Sequence, residues 1–312
     1  MTTSSARRSA SAHPVPTRAP ARPSGAAVGL LRAMRPRQWT KNVLVLAAPF
    51  AAGALLNGGT APRLAIAFVA FSLAASGIYL VNDARDVEAD RAHPTKRDRP
   101  IAAGVVPVHL ALAVAGVLLS GAVALAALAR WELAALLGAY VTIQLAYCLW
   151  LKHQPVFDIC CVSSGFLLRA IAGGVATGIA LSPWFLLVAG FGSLFMVTGK
   201  RYAERMLAER THTGFRRSLE AYSASYLRFV WALSATVLVT TYSMWAFEIR
   251  EAENSPVWPL LSIAPFVMAV LRYAMEVDRG RAGEPDEVVL GDRVLQTLAV
   301  VWLGTLGVVV YG

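Results

Sequence analysis

Long apolar runs alternate with short polar turns from about residue 43 to the C-terminus, and nine of the runs are long enough to cross a membrane. They fall at about 43–59, 64–81, 108–129, 132–150, 156–176, 181–199, 229–247, 257–271 and 294–311. The first is short and contains Pro49. Runs of this length predict helices, because barrel strands would need only about ten alternating residues each. The expected fold is therefore an all-α, polytopic membrane bundle of nine transmembrane helices, forming a single domain over residues 31–312. Residues 1–30 are rich in Ser, Ala, Pro and Arg and lack apolar periodicity, which predicts a disordered tail. No apolar stretch follows Arg7 and Arg8 before the prolines, so a cleaved signal peptide is not expected. The loops are too short to hold a soluble domain.

Composition agrees with this pattern. Of 312 residues, 56% are hydrophobic and only 15% charged, with mean hydropathy +0.54, whereas soluble domains carry about 25% charge. Charge then orients the bundle. Threading nine spans with the N-terminus inside places 25 of the 29 Lys and Arg residues on the inner side. Arg63, Arg130 and Arg250 fall outside, and Arg169 lies within a span. The expectation is a multi-pass protein of the inner (cytoplasmic) membrane, with its N-terminus, tail and polar loops on the cytoplasmic side. A net charge of +10 and pI near 9.9 describe an inner face suited to anionic membrane lipids and phosphorylated substrates. No nucleic-acid module accompanies that charge, so no nucleic-acid partner is expected. Cys148, Cys160 and Cys161 lack metal-ligand spacing and read as small buried hydrophobes.

The candidate chemistry begins where the second apolar run ends, in Asn82-Asp83-Ala-Arg-Asp86-Val-Glu-Ala-Asp90. On a helix, positions 82, 83, 86 and 90 fall within an arc of roughly 100°. Carboxylates gathered this way repel unless a cation joins them, and Mg²⁺ prefers such hard oxygens together with substrate phosphates. A mixed-sign solvated loop would explain the composition but not the shared face. Pro94 and Pro100 break the chain beyond, so Lys96 and Arg99 are expected to fold back over the acids. The set reads as a diphosphate clamp: Asp83, Asp86 and Asp90 on metal, with Lys96 and Arg99 on the phosphate oxygens.

A second polar loop spans 200–228. Lys200 and Glu204 are four residues apart, an ion-pair spacing common at any inner helix end, yet Glu204 would also complete a second metal position. Lys200, Arg201 and Tyr202 are candidate substrate contacts. Glu209 lies about 140° around the helix from Glu204, so the two do not share a face. Ahead of the first run, Arg35-Pro-Arg37-Gln38-Trp39-Thr40-Lys41-Asn42 reads equally well as an interfacial anchor or as a lipid-phosphate site using Lys41 and Asn42. In the fifth run Asp158 and Arg169 are ionisable residues inside the membrane. They stand eleven residues and roughly 16 Å apart, too far for a direct pair. Asp158 reads as ligand-facing, and Arg169 as capping carbonyls near Gly173 and Gly174.

Nine spans together with Asn82-Asp83-x-x-Asp86-x-x-x-Asp90 resemble the UbiA superfamily of intramembrane prenyltransferases. Typical members carry a second Asp-x-x-x-Asp motif where this chain has Lys200-Arg-Tyr-Ala-Glu204. That departure, the Arg-Pro-Arg-Gln-Trp-x-Lys-Asn segment and Tyr226-Leu-Arg-Phe-Val-Trp231 resemble an actinobacterial branch of the family. The resemblance implies Mg²⁺-dependent transfer of 5-phosphoribose from phosphoribosyl pyrophosphate to decaprenyl phosphate, supplying arabinan precursors of the cell wall. It also implies metal ligation by the acids from Asn82 to Asp90, and a homotrimer. Two rivals stay open at this point. A conventional prenyltransferase would need an aromatic-acceptor pocket, for which Tyr79, Phe157 and Tyr202 are candidates. A transporter would place its ionisable residues at mid-membrane, whereas most here gather at the inner surface.

Overall fold

The computed structural model of the chain describes residues 25–211, 217–252, 257–279 and 285–311, and all of its regular structure is helical. Residues 1–24 of the expected tail lie outside the described residues. The tail nevertheless ends sooner than residue 30, because α1 (Ala26–Ala33) is a helix. Its Gly29 lies against Val105 and Val106, and Ala33 is buried beside Leu80 and Ile101. That apolar docking is what the composition of the tail conceals.

The first apolar run does not form a long α-helix. A 3₁₀ helix spans Pro36–Leu46 and passes into the short α2 (Ala47–Ala51). Pro49 lacks an N–H, and Gly53 takes φ +67°, so the helix stops there. At about 2.0 Å per residue for 3₁₀ and 1.5 Å for α, the two together reach about 30 Å, the thickness of a bilayer core. Arg35 meets Asp83 at one end of the bundle, while Leu55 donates to the Tyr311 hydroxyl at the other.

Eight further helices are long and apolar enough to cross a membrane among the described residues. They are α3 (Thr60–Arg85), α5 (Val108–Ala129), α6 (Trp131–Leu149), α7 (Phe157–Thr177), α8 (Pro183–Thr211), α10 (Ala224–Ala252), α11 (Trp258–Asp278) and α13 (Arg293–Tyr311). Short helices α4 (Val87–Ala92), α9 (Arg217–Glu220) and α12 (Pro285–Gly291) sit in the connections. The result, among the described residues, is an all-α membrane bundle with eight long helices and one mixed 3₁₀/α segment packed on them.

Two of the three cores among the described residues meet at α7. Leu64, Phe71, Leu133, Leu137 and Tyr140 pack with α7 residues Ala172 and Ala176. Phe195, Tyr202, Trp231 and Tyr273 pack with Ile159 of the same helix. Helix α7 thus lies between both halves, and its small residues let backbones approach. Gly173 is the extreme case: a β-carbon there would collide with the Val45 carbonyl of the 3₁₀ helix.

Candidate functional site

Helix α3 stays regular through Asp83 and ends at Arg85; Asp86 then leaves helical geometry at φ −94°, ψ 10° before α4 begins. An Asp90 N–H to Asp86 carbonyl bond of 2.8 Å carries the chain direction across the break. The four polar residues do not share one partner as a single helix face would. Asp83 and Asp90, both buried, turn to Arg99, whose Nη1 lies 3.1 Å from Asp83 Oδ1 and 2.7 Å from Asp90 Oδ2. Asp86 instead pairs with Lys152. Asn82 is half-buried, with its amide nitrogen 3.5 Å from Asp83 Oδ1.

The loop returns as its prolines require. His93, ahead of Pro94, is extended and ends α4; a 3₁₀ turn covers Lys96–Asp98; and Arg99, ahead of Pro100, is extended again. This brings Arg99 over the acids, while Lys96 opens the turn half-exposed. A second guanidinium arrives from far away in sequence. Arg35 Nη2 contacts both Asp83 oxygens, at 2.7 and 3.0 Å, and its guanidinium stands 4.7 Å from the centre of the Tyr79 ring. Arg35 holds φ +54°, ψ +61°, a left-handed conformation, where a residue ahead of proline ordinarily takes extended backbone. A left-handed non-glycine residue costs roughly 1–2 kcal/mol, which the charge-assisted pair with Asp83 offsets.

The connection between α6 and α7 joins this cluster to the second loop. Lys152 engages Asp86, and six residues later Asp158 engages Tyr222 and lies 3.7 Å from Arg201 Nε. Asp158 is 1% exposed, and its carboxylate meets Tyr222 and Arg201 in the interior. Val156, a β-branched residue at φ +71°, donates its N–H to the Tyr222 hydroxyl at 2.5 Å. Burial raises the Tyr222 phenol above the ordinary range, and its bond to Asp158 adds to that shift. Asp158 Oδ2 and Arg201 Nε face each other without a hydrogen bond. Arg201 Nη1 donates to Glu204 at 3.1 Å, and Lys200 stands 4.0 Å from the same carboxylate. Glu209 pairs separately with Arg205.

Several residues proposed from sequence as ligand contacts are interior. Asn42 is fully buried: its amide donates to Ser72 Oγ at 2.9 Å and accepts from Arg169 Nε at 2.7 Å. Tyr202 is fully buried, stacked on Trp231 at 5.7 Å and bonded to Arg228 at 2.6 Å. Lys41, beside Asn42, is half-buried. Arg169 caps the Gly165 carbonyl at 2.7 Å, four residues back and above the expected glycine pair. Among the cysteines, Cys148 and Cys161 are buried but Cys160 is exposed. Sequence reasoning gave no site role to Arg35, Lys152 or Tyr222. Lys152 did leave a signal, as the lone Lys or Arg of the short 151–154 loop.

No group of three or more His, Cys, Asp and Glu is placed to hold a metal among the described residues. Mg²⁺ does not need one: it takes one or two carboxylates and fills its shell with water and phosphate oxygens. Asp83 and Asp90 converge on one point, the position of Arg99 Nη1, and supply hard oxygen donors there. The donor set therefore fits a divalent cation shared with a diphosphate, with three cations close by to meet the remaining phosphate charge.

Comparison with known proteins gives the wider setting. A model described as the UbiA prenyltransferase family matches residues 44–310. A decaprenyl-phosphate phosphoribosyltransferase of Mycolicibacterium smegmatis is 56% identical over 310 residues, covering 95% of this chain and 96% of the relative. One of the same name from Mycobacterium tuberculosis is 57% identical over 295 residues, covering 92% and 96%. The solved structure of a UbiA homolog from Archaeoglobus fulgidus, bound to GPP and Mg²⁺, superposes with a TM-score of 0.69 at 15% identity, covering 91% of this chain and 100% of that one. At that identity the likeness speaks for the fold.

Proposed function

Because this chain belongs to the UbiA prenyltransferase family, we propose that it transfers 5-phosphoribose from phosphoribosyl pyrophosphate to decaprenyl phosphate. The observation that carries this reading is near-full-length identity of 56% and 57% to two enzymes named for that acceptor and that transfer. The acidic end supports it chemically, since two converging carboxylates and three nearby cations suit a departing pyrophosphate. The protein is a multi-pass membrane protein, and the basic bias of one loop set supports an inner-membrane orientation with this end cytoplasmic. Its product would feed arabinan synthesis in the cell wall.

In this reading Asp83 and Asp90 would hold Mg²⁺, with Asp86 and Glu204 as the further carboxylates. When bound, the ion neutralises pyrophosphate charge. Arg35, Arg99 and Lys152 turn from the carboxylates to phosphate oxygens, and Lys96 and Lys200 add charge at the rim. The bond from the anomeric carbon to pyrophosphate breaks, the pyrophosphate keeping the electron pair. A lipid-phosphate oxygen forms the new bond to that carbon. This oxygen is already anionic at neutral pH, so none of the chain's residues must remove a proton. Lys41, half-buried beside Asn42 in the 3₁₀ helix, is the cation proposed for the lipid phosphate.

The rival transfer of a prenyl group to an aromatic acceptor finds less support, since the Tyr202 ring is committed to packing on Trp231. The deciding experiment supplies purified protein and Mg²⁺ with phosphoribosyl pyrophosphate plus decaprenyl phosphate, and separately with a prenyl diphosphate plus an aromatic acid. Pyrophosphate should appear in the first mixture. Its appearance only in the second would overturn the reading.

A further inference from the structure

Arg169 is a charge buried deep in α7 whose partners are all neutral. It is 8% exposed and donates to Asn42 Oδ1 at 2.7 Å, the Gly165 carbonyl at 2.7 Å and the Tyr140 hydroxyl at 2.8 Å. No carboxylate pairs with it among the described residues. A cation in such a place is expensive, and packing alone would be served by a neutral side chain. The planar guanidinium offers what a neutral residue lacks: donors fixed in three directions at once.

Those donors hold the top of a polar ladder. Along α3, Ser72, Ser76, Tyr79 and Asp83 recur at helical spacing and form one stripe. Along the 3₁₀ helix, Asn42 meets Ser72, Trp39 donates to Ser76 Oγ at 3.0 Å, and Arg35 covers Tyr79 and grips Asp83. Ser76 Oγ also lies 3.2 Å from the Met34 carbonyl and 2.8 Å from the Ser72 carbonyl, so its one proton is shared between its own helix and the backbone just before Arg35. Eleven residues is long for a 3₁₀ helix, a form that seldom exceeds three or four without outside support. The ladder supplies that support on one side, and Gly173 admits the Val45 carbonyl on the other.

We propose that Arg169 and Asn42 are positioning residues: they fix the register of the 3₁₀ helix on α3 so that Arg35 lands on Asp83 at the diphosphate site. This rests on the reading that the acidic end binds a diphosphate, but not on which donor carries it. Arg169→Lys does not rescue, because an ammonium cannot reach all three acceptors in one plane.

The test uses the full chain in detergent with two readouts. Manganese binding with inorganic pyrophosphate, followed by electron paramagnetic resonance, reports the site. Nitroxide labels at Arg37→Cys and Glu88→Cys, on a chain whose three native cysteines are alanine, report the register. Arg169→Gln should broaden the label distance and weaken manganese pyrophosphate about tenfold, and adding it to Arg35→Gln should cause no further loss. Asn42→Ala should show the same non-additivity, and it carries the test if Arg169→Gln does not fold. An unchanged label distance in either folded variant, or losses that multiply with Arg35→Gln, would overturn the proposal. If the native protein binds no manganese pyrophosphate but Arg169→Gln still broadens the distance, the diphosphate reading falls and the positioning role stands.

Discussion

Asp83 and Asp90, seven residues apart across a helix break, share a single nitrogen of Arg99, at 3.1 and 2.7 Å. Two buried carboxylates this close repel each other without a cation between them. Arg99 resolves that repulsion within the chain, and the same convergence suits a divalent ion.

Removing one carboxylate of this pair should therefore damage metal binding and turnover together. Asp83→Asn or Asp90→Asn is expected to lower pyrophosphate release by about 100-fold or more, the scale of lost transition-state charge stabilisation. Mn²⁺ titration of the same variants should show weakened binding. Native metal dependence in either variant would remove that residue from the site.

Chelation offers a separate check. Excess EDTA should abolish turnover, and added Mg²⁺ should restore it without refolding, because the donor set contributes to the site and not to the packing of the bundle. Full turnover in chelator would exclude the metal role of the acids.

The Asp158–Arg201 contact predicts a stability effect distinct from catalysis. Both groups are more than nine-tenths buried, so Arg201→Met alone strands a carboxylate and should cost about 3–5 kcal/mol. Asp158→Asn with Arg201→Met leaves no uncompensated charge and should recover part of that loss. Thermal unfolding in micelles measures both; equal losses in single and double variants would mean the two do not act as a pair.

Tyr222 adds a pH signature. Its folded phenol titrates above its unfolded one, so the stability it contributes is present below the unfolded value of about 10 and declines as pH rises beyond it. The native midpoint should accordingly fall more steeply above about pH 10 than that of Tyr222→Phe. Parallel curves for the two proteins would remove Tyr222 from the titrating set.

Close backbone approach yields the sharpest contrast. Gly173→Ala should block seating of the 3₁₀ helix and abolish folded yield, since the added carbon meets the Val45 carbonyl, a backbone atom with no room to move. Gly138→Ala on α6 meets nothing within 4 Å and should be near neutral. Size-exclusion profiles of the two variants separate them.

The sequence by itself determined the membrane-bundle class, because burial in a bilayer demands long apolar runs with internal hydrogen bonding, a requirement written locally in the chain. It also determined the acidic stretch from Asn82 to Asp90 and the return of Arg99, since helix spacing and proline act over a few residues. Only the tertiary structure decided which cations meet those acids. Arg35 and Lys152 lie 48 and 66 residues away from their partners, a separation that local periodicity cannot read. It also decided that Asp158, Asn42 and Tyr202 face inward, because a polar residue in a membrane helix looks the same in sequence whether it greets a ligand or another helix. The neighbour that satisfies its hydrogen bonds makes that choice, and neighbours are set by how helices pack. The 3₁₀ form of the first apolar segment has the same origin: Ser72, Ser76 and Gly173 on other helices hold it in place.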